Sequence, residues 1–275
     1  MTCYDLHSHS TASDGALSPT KLISRAIEKG VDVLALTDHD GTEGISEAQQ
    51  AARNSQLTLI PGVEISVSWG GTTVHIVGLN IDPDHKILQQ GLSKIREYRA
   101  ERAEEIARRL EKAGISGALD GASKYASNVM LGRLHFAQFL VETGHAKNIG
   151  DVFKRFMVRN KPGYVSGEWA NLEEAIGWIN QAGGCAVVAH PARYKMTATK
   201  LGRLLLEFKA CGGIGLEVVS GNQHPEEVKT LARHAKHHQL LASCGSDFHT
   251  PENSWVELGQ MAMMPESCDP VWQEW

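Results

Sequence analysis

The sequence predicts an α/β protein in which a parallel sheet or barrel is interrupted by a helical insertion. Short apolar runs alternate with amphipathic stretches toward both ends of the 275-residue chain, which is the pattern of repeated β/α units. A charged stretch in the middle has helical periodicity and contains no strand-like run until residue 163. Polar side chains follow most of the apolar runs, where the loops of such a fold carry its chemistry.

The first β/α unit shows how local signals place each element. A short strand is predicted over residues 3–6, and the next helix spans residues 18–30 with Ser18 as N-cap, Pro19 at its first position and Gly30 at its end. The same signals predict further strands over residues 31–36, 57–60, 73–79, 163–165, 185–189, 214–219 and 240–244. Further helices are predicted over residues 43–54, 85–113, 133–143, 151–159, 201–210 and 225–238, and around residues 176–181.

The middle of the chain is predicted to be a helical insert over residues 94–165, and residues 1–93 and 166–275 are predicted to form the barrel. The insert holds 14 lysines and arginines against 8 acidic residues, whereas the remainder holds 13 against 24. The formal net charge of −5 therefore combines an insert of +6 with a barrel of −11.

Composition argues against several classes of protein. No apolar run approaches the ~20 residues that a membrane-spanning helix needs, and the first residues lack the basic and apolar regions of a secretory signal. The five cysteines are widely spaced and form no CxxC pair, so we expect reduced thiols in a cytoplasmic protein. A net charge of −5 argues against a surface that binds nucleic acid throughout, but the basic insert could line a path for an RNA backbone.

Residues of the metal-ligand types stand at the ends of the predicted strands. His7 and His9 are two residues apart on extended chain, so their imidazoles point to the same side, and Asp247 and His249 repeat this spacing. Imidazole and carboxylate groups without cysteine suit Zn, Mn or Fe better than Mg or Ca. Two or three ions that share a carboxylate are predicted, and such sites hydrolyse phosphate esters. The nine candidate ligands are His7, His9, Asp14, His39, Glu64, His75, His190, Asp247 and His249.

These segments resemble the motifs of the PHP (polymerase and histidinol phosphatase) family of metal-dependent phosphoesterases. The matching segments occur in the family's order and are DLHSHS, TDHD, PGVEIS, HIVG, AHP and GSDFH. Three segments of the insert resemble one branch of the family, namely RLEKAGISGALDGA, GRLHFAQFLVETG and NKPGYV. That branch contains bacterial 3′,5′-nucleoside bisphosphate phosphatases and ribonuclease AM, a 5′→3′ exoribonuclease that trims the 5′ ends of ribosomal RNA precursors.

The resemblance implies a distorted (β/α)7 barrel that holds three divalent metal ions, with Mn²⁺ favoured and Zn²⁺ or Fe²⁺ as alternatives. Such ions neutralise phosphoryl oxygens and lower the pKa of water toward ~7, which allows attack on phosphorus. His190 and Asp247 are the implied candidates for proton transfer. The family assigns His7, His9, Glu64 and Asp247 to one ion, Glu64, His75 and His190 to a second, and Asp14, His39 and His249 to a third.

The resemblance also implies substrate contacts through basic residues. Arg133 and His135 lie in the segment GRLHF, Lys161 lies in NKPGY, and Arg193 follows His190 closely. A guanidinium binds phosphate through two oriented N–H groups, so a terminal 5′-monophosphate is the expected ligand. The implied partners are RNA 5′ ends and 3′,5′-nucleoside bisphosphates as substrates, with no membrane and no obligate protein partner.

Three hypotheses about function follow. The first is a 5′→3′ exoribonuclease that also dephosphorylates 3′,5′-nucleoside bisphosphates. The second is a phosphatase of small molecules alone, either nucleoside bisphosphates or histidinol phosphate. The third is a PHP module without activity that assists a polymerase; it predicts missing ligands, whereas all nine positions are filled.

Overall fold

A computed structural model describes residues 2–126, 131–252 and 255–275 of the chain. Within these residues seven strands form one sheet in sequential order. The sheet is nearly closed, because the Leu6 N–H donates to the Cys244 carbonyl, and a parallel bridge joins Ser8 to Phe248. The strands are β1 (Tyr4–Asp5), β2 (Val33–Leu36), β3 (Thr58–Trp69), β4 (Thr72–Leu79), β5 (Cys185–Val188), β6 (Gly215–Ser220) and β7 (Leu241–Gly245).

The predicted barrel is confirmed, but β4 runs against the other strands. β3 and β4 form an antiparallel hairpin through Gly70 and Gly71, whose φ angles are 53° and 74°. β4 is also antiparallel to β5, whereas the other neighbouring pairs are parallel. Apolar runs do not encode strand direction, and two linking residues are too few for a parallel crossover. β3 is also longer than the predicted strand over residues 57–60, because its second half pairs with β4.

Helices follow most of the strands. The predicted cap of the first helix is confirmed, because the Ser18 side chain accepts a hydrogen bond from the Lys21 N–H at 3.3 Å. The helices are α1 (Pro19–Glu28), α2 (Ile45–Ala52), α3 (Lys86–Lys112), α4 (Ala118–Ser123), α5 (Arg133–Glu142), α6 (Ile149–Val152), α7 (Leu172–Gln181), α8 (Ala198–Ala210) and α9 (Pro225–His238). None of the described helices combines the length and the apolar character that crossing a bilayer requires.

Apolar side chains fill the end of the barrel where the parallel strands begin. A buried cluster includes Leu6, Ile60, Leu79 and Val187. Tyr4, at the start of β1, stacks on Trp272 with ring centroids 4.0 Å apart. This end of the barrel is therefore closed by packing, and polar chemistry is confined to the opposite end.

The chain divides into two compact units, the barrel unit of Met1–Leu92 with Ala170–Trp275 and the helical unit of Ser93–Trp169. Part of the predicted insert, residues 127–130, lies outside the described residues. The helical unit has its own core, which includes the buried side chains of Leu110 and Leu140.

The strand predicted over residues 163–165 is wrong. The Gly163 N–H donates to the Phe156 carbonyl and the Tyr164 N–H donates to the Lys161 carbonyl. These local turn hydrogen bonds occupy the backbone groups that a strand would offer to a neighbour. The helix predicted over 151–159 starts earlier, at Ile149, and continues beyond α6 as a π-helical turn over Phe153–Met157.

Replacing a buried leucine of the helical unit should destabilise that unit. Leu140 on α5 is fully buried, whereas Leu206 on α8 is 61% exposed. Leu140→Ala should lower the free energy of unfolding by about 2–5 kcal/mol, because it removes apolar contacts and leaves a cavity. Leu206→Ala should change it by less than about 0.5 kcal/mol. Urea unfolding followed by circular dichroism measures both, and equal effects of the two variants would contradict the assigned core.

Candidate metal centre

The carboxyl ends of parallel strands carry most of the candidate ligands. Because these strands run in one direction, their ends converge at the end of the barrel opposite the apolar cluster. Short extended segments place each imidazole or carboxylate within a few residues of a strand end. The ligands in these positions are His7 and His9 after β1, His39 after β2, His190 after β5, and Asp247 and His249 after β7.

Glu64 and His75 come from the hairpin. Glu64 lies in the middle of β3, and His75 lies on β4 opposite Ser66. Glu64 was expected beyond a short third strand, but the continued pairing of β3 with β4 makes it a strand residue. A parallel bridge between His39 and Glu64 aligns this part of β3 with the end of β2.

The carboxylate of Glu64 is fully buried and, among the described residues, five imidazoles surround it. A carboxylate offers about four lone-pair sites on its two oxygens, so five rings exceed what it can accept in good geometry. The distances from its oxygens are 2.8 Å to His75 Nδ1, 2.9 Å to His190 Nε2, 2.9 Å to His39 Nδ1, and 3.3 Å to the Nε2 atoms of His7 and His9.

His9 lies between two further carboxylates. Its Nε2 is 3.0 Å from Asp247 Oδ1, and its Nδ1 is 4.0 Å from Asp14 Oδ1. Asp14 in turn lies near two other rings, 3.3 Å from His249 Nε2 and 3.8 Å from His39 Nε2. His9 and its neighbours therefore connect separate clusters of donor atoms.

Within the described residues, three overlapping groups bring possible ligand atoms within 4.8 Å of one another. The group that contains Asp247 equals the ligand set that the family assigns to the first ion. The group that contains Asp14 equals the set for the third ion with His9 added. The group that contains His75 has His39 where the family's set for the second ion has His190. His190 lies close by, since its Nε2 is 2.9 Å from Glu64 Oε1. The groups are His7, His9, Glu64 and Asp247; His9, Asp14, His39 and His249; and His39, Glu64 and His75.

Several buried polar atoms of these groups have no hydrogen-bond partner in the described part of the chain. Each such atom costs about 1–3 kcal/mol, and folded proteins rarely concentrate several of them. A divalent cation placed between these atoms would accept their lone pairs and remove this cost. The cluster therefore suits divalent metal binding. The atoms are His7 Nε2, His9 Nδ1, Asp14 Oδ1, His39 Nδ1, Glu64 Oε2 and His190 Nδ1.

Charge coupling dominates the pKa values in the cluster. Burial lowers the pKa of His9, but the adjoining carboxylates of Asp247 and Glu64 outweigh it and raise that pKa to about 10. Burial acts in the opposite direction on Glu64 and Asp247, yet the surrounding imidazoles hold the pKa of both well below the usual range. The carboxylates are therefore ionised, and a cation that binds must compete with protons on the rings of His7 and His9, whose pKa values are raised.

Backbone strain marks the same end of the barrel. His190 has φ 26°, Asp247 has φ 54° and Asp40 has φ 48°. Such left-handed conformations cost about 1–3 kcal/mol in a non-glycine residue and cluster at functional sites. Each of these residues follows a strand end, so the strained turns aim ligand-bearing segments into the cluster.

One predicted substrate-binding residue adjoins the cluster, and three lie in the helical unit. The Arg193 guanidinium, 47% exposed, contacts Oδ2 of Asp247 through Nη1. Arg133 begins α5, and His135 is buried in its first turn. The Gly132 N–H donates to His135 Nδ1 at 3.0 Å, so the ring proton lies on Nε2. Lys161 is exposed in the turn after the π-helical residues.

Sequence reasoning missed the contacts that two residues make beside the ligands, those of buried Glu217 and of half-buried Tyr194. Glu217 on β6 contacts His7, and the Tyr194 hydroxyl accepts a hydrogen bond from the His75 N–H at 2.8 Å. An acidic residue inside the apolar run GLEVVS was a usable signal for Glu217. Tyr194 carried no comparable signal, because its partner is a backbone group distant in sequence.

The PHP domain family model matches residues 5–184. The chain belongs to the PHP domain family. The resemblance found in the sequence is thereby confirmed. The matched range begins at Asp5 in β1 and ends just before β5, so it includes the hairpin that carries Glu64 and His75.

Two curated relatives cover almost the whole PHP chain. The 3′,5′-nucleoside bisphosphate phosphatase of Chromobacterium violaceum is 49% identical over 100% of this chain and 96% of its own length. The 5′-3′ exoribonuclease Rnm of Escherichia coli is 48% identical over 99% of this chain and 93% of its own.

Two solved structures share the PHP fold. An amidohydrolase from Chromobacterium violaceum, with bound sulfate and no metal, has a TM-score of 0.93 at 49% identity and covers 99% of this chain and 95% of its own. A Bifidobacterium adolescentis protein, named as a metal-dependent phosphoesterase, has a TM-score of 0.81 at 26% identity. The match covers 98% of this chain and 93% of that protein. The barrel therefore agrees with experimental structures of similar proteins.

Cation binding to the PHP barrel should release protons. The pKa of His9, about 10 without a cation, lies above neutral pH, so binding must displace its proton. The apparent affinity for Mn²⁺ should therefore rise with pH, by up to about tenfold per pH unit for each proton displaced. Calorimetric titrations in buffers of different ionisation heat count the protons.

A histidine outside the cluster provides the control for this measurement. His234→Asn on α9 should leave the number of released protons unchanged, whereas His9→Asn should reduce both that number and the affinity. An affinity that is constant between about pH 7 and pH 9 would contradict the arrangement of charges described above.

Proposed function

We propose that this protein is a metal-dependent phosphoesterase that acts as a 5′→3′ exoribonuclease on 5′-monophosphorylated RNA and also dephosphorylates 3′,5′-nucleoside bisphosphates. The observation that carries the proposal is the set of overlapping donor groups joined by Glu64 and His9. Relatives at 49% and 48% identity over nearly the whole chain are named for these two activities. The role proposed for the RNA activity is 5′-end trimming of ribosomal RNA precursors.

Three divalent ions, most readily Mn²⁺, would be held by the nine predicted ligands. Mixed imidazole and carboxylate donors suit Mn²⁺, Zn²⁺ and Fe²⁺, and the shared position of Glu64 supports neighbouring ions. Ions bound there supply charge neutralisation of the phosphoryl oxygens and an attacking water of lowered pKa. The proposed sets are His7, His9, Glu64 and Asp247; Glu64, His75 and His190; and Asp14, His39 and His249.

His190 and Asp247 are proposed to handle protons. Asp247 has a pKa well below its usual range, because the rings of His7, His9 and His249 outweigh its burial, so it is ionised and has no proton to donate. His190 lies beside Glu64, with its Nε2 2.9 Å from Glu64 Oε1, and is proposed to take part in proton transfer to the leaving oxygen. Arg193 beside Asp247 adds positive charge at the edge of the cluster.

The helical unit is proposed to bind the terminal 5′-phosphate through Arg133 and His135, with Lys161 as a further contact. Three arginines, Arg99, Arg102 and Arg133, concentrate positive charge in this unit. Burial and the nearby guanidinium groups of Arg133 and Arg99 lower the pKa of Arg102 to about 10. An anion relieves this repulsion, and a guanidinium binds a phosphate through two parallel hydrogen bonds. The proton on Nε2 makes His135 a donor toward the same ligand.

A phosphatase of nucleoside bisphosphates without a physiological RNA substrate is the second candidate, and the name of the Chromobacterium relative favours it. The two candidates differ in whether a chain beyond the first nucleotide is accepted. Incubation with Mn²⁺ and a 5′-monophosphorylated oligoribonucleotide should release mononucleotides from the 5′ end. A matched 5′-hydroxyl oligonucleotide should react much more slowly. Turnover of bisphosphates without any mononucleotide release would exclude the exoribonuclease.

Loss of a ligand should abolish turnover and preserve the barrel. His39→Ala removes a ring 2.9 Å from Glu64 and should lower kcat/KM by more than about 100-fold for RNA and bisphosphate alike. Circular dichroism should show retained secondary structure. Activity close to that of the unmodified enzyme would refute the assigned centre.

Loss of the proposed phosphate contact should depend on the substrate. Arg133→Ala should lower kcat/KM for 5′-phosphorylated RNA by about 10–100-fold, which is the loss of one charge-assisted hydrogen-bond pair. Slow cleavage of 5′-hydroxyl RNA should be unaffected, because that substrate lacks the bound group. Arg108→Ala, at an exposed arginine of the same unit, serves as the control. Equal losses with both RNAs would contradict the proposed contact.

A further inference from the structure

A buried carboxylate stands beside the ligand cluster and belongs to none of its donor groups. Glu217 lies on β6, where each residue from Gly215 to Ser220 is buried, and it is itself only 2% exposed. A carboxylate in such a place must be balanced by hydrogen bonds or positive charge. The partners that Glu217 has are therefore informative about its role.

The two oxygens of Glu217 bind two different ligand segments. Oε1 lies 3.3 Å from Nδ1 of His7, in the segment that follows β1. Oε2 accepts a hydrogen bond from the backbone N–H of His190, in the segment that follows β5. One side chain on β6 thus connects the ligand segments of two other strands.

The contact with His7 bears on which ring nitrogen faces the other ligands. Nε2 of His7 points at Glu64 Oε2, 3.3 Å away, and Asp247 Oδ1, 3.4 Å away. In an imidazole that binds a cation one nitrogen carries the proton and the other offers a lone pair. A carboxylate at Nδ1 keeps the proton on that atom and leaves Nε2 for the cation.

The contact with His190 bears on a strained backbone. His190 has φ 26° and ψ 55°, a conformation that persists only when surrounding groups enforce it. The hydrogen bond from its N–H to Glu217 provides such a constraint. The same hydrogen bond helps to hold the His190 ring where its Nε2 meets Glu64.

Gly245 on β7 leaves room for this arrangement. A Cβ at this position would lie 2.2 Å from the Cβ of His7 and 2.9 Å from Oε1 of Glu217. Any side chain at residue 245 would therefore separate the carboxylate from the imidazole. The absence of a side chain at Gly245 is thus a structural requirement of the Glu217–His7 contact.

We propose that Glu217 is a positioning residue, which fixes His7 with its proton on Nδ1 and its Nε2 lone pair toward the cation, and which holds the strained backbone of His190. This inference rests on the proposed function, since it assumes that the cluster binds divalent cations. Glu217 itself belongs to none of the three donor groups and is not proposed as a ligand.

Glu217→Gln tests the proposal, because an amide cannot serve both contacts. If its oxygen accepts from the His190 N–H, its NH2 group faces His7 Nδ1 and favours a proton on Nε2. If the amide is reversed, its NH2 group faces the His190 N–H and two donors oppose each other. Either orientation should weaken zinc binding by about 10–100-fold, the usual effect of removing an outer partner of a metal-bound histidine.

The measurements are calorimetric zinc titration and ¹⁵N NMR of histidine-labelled, zinc-loaded protein. The unmodified protein should show His7 with a proton on Nδ1 and zinc on Nε2, and Glu217→Gln should lose this signature. Glu174→Gln is the matched control, because Glu174 lies on α7 away from the ligand cluster and the amide oxygen can still accept the hydrogen bond from the Asn171 N–H. It should keep both the zinc affinity and the His7 signature.

Unchanged affinity and an unchanged His7 signature in Glu217→Gln would overturn the proposal. If that variant does not fold, the unmodified protein decides alone, since a zinc-loaded His7 without a proton on Nδ1 also overturns it. Zinc-loaded protein with the expected signature but without phosphoesterase activity would refute the proposed function and leave the role of Glu217 intact. A protein that binds no divalent cation would overturn both.

Discussion

The buried carboxylate of Glu64 is the constraint on which the rest of the structure depends. A fully buried charge is unfavourable unless opposite charge and hydrogen bonds compensate for it, and here imidazoles surround it. This arrangement raises the pKa of His7 and His9, and the carboxylate keeps its charge. The same donor atoms that balance one another are those that a divalent cation would bind. The imidazoles around Glu64 thus both compensate its buried charge and provide the donor atoms for a cation.

The barrel separates this polar cluster from the packing that stabilises the fold. Apolar side chains and the stack of Tyr4 on Trp272 close the end where the parallel strands begin. The opposite end contains strained turns such as those at His190 and Asp247. The antiparallel β3–β4 hairpin adds two ligands, Glu64 and His75, from the interiors of strands, which loops after parallel strands could not supply. Stability and chemistry therefore lie at different ends of the same sheet.

Much of the fold and of the site was predictable from the sequence, because both depend on short-range patterns. The spacing of His7 with His9 and of Asp247 with His249 reflects the two-residue period of extended chain. The direction of β4 was not predictable from apolar runs, and the position of Glu64 inside β3 follows from pairing with β4. Glu217 was missed because its partners, His7 and His190, are 210 and 27 residues away in sequence.

Side chains at one end of the barrel, joined by Glu64, are proposed to hold several divalent cations. Anomalous X-ray diffraction from crystals soaked with Mn²⁺ tests it most directly. We expect three anomalous peaks, each within about 2.0–2.4 Å of nitrogen or oxygen atoms of the nine ligands, with Glu64 shared by two of them. Crystals that show no peak at these side chains, or peaks only at other surfaces of the protein, would contradict the account.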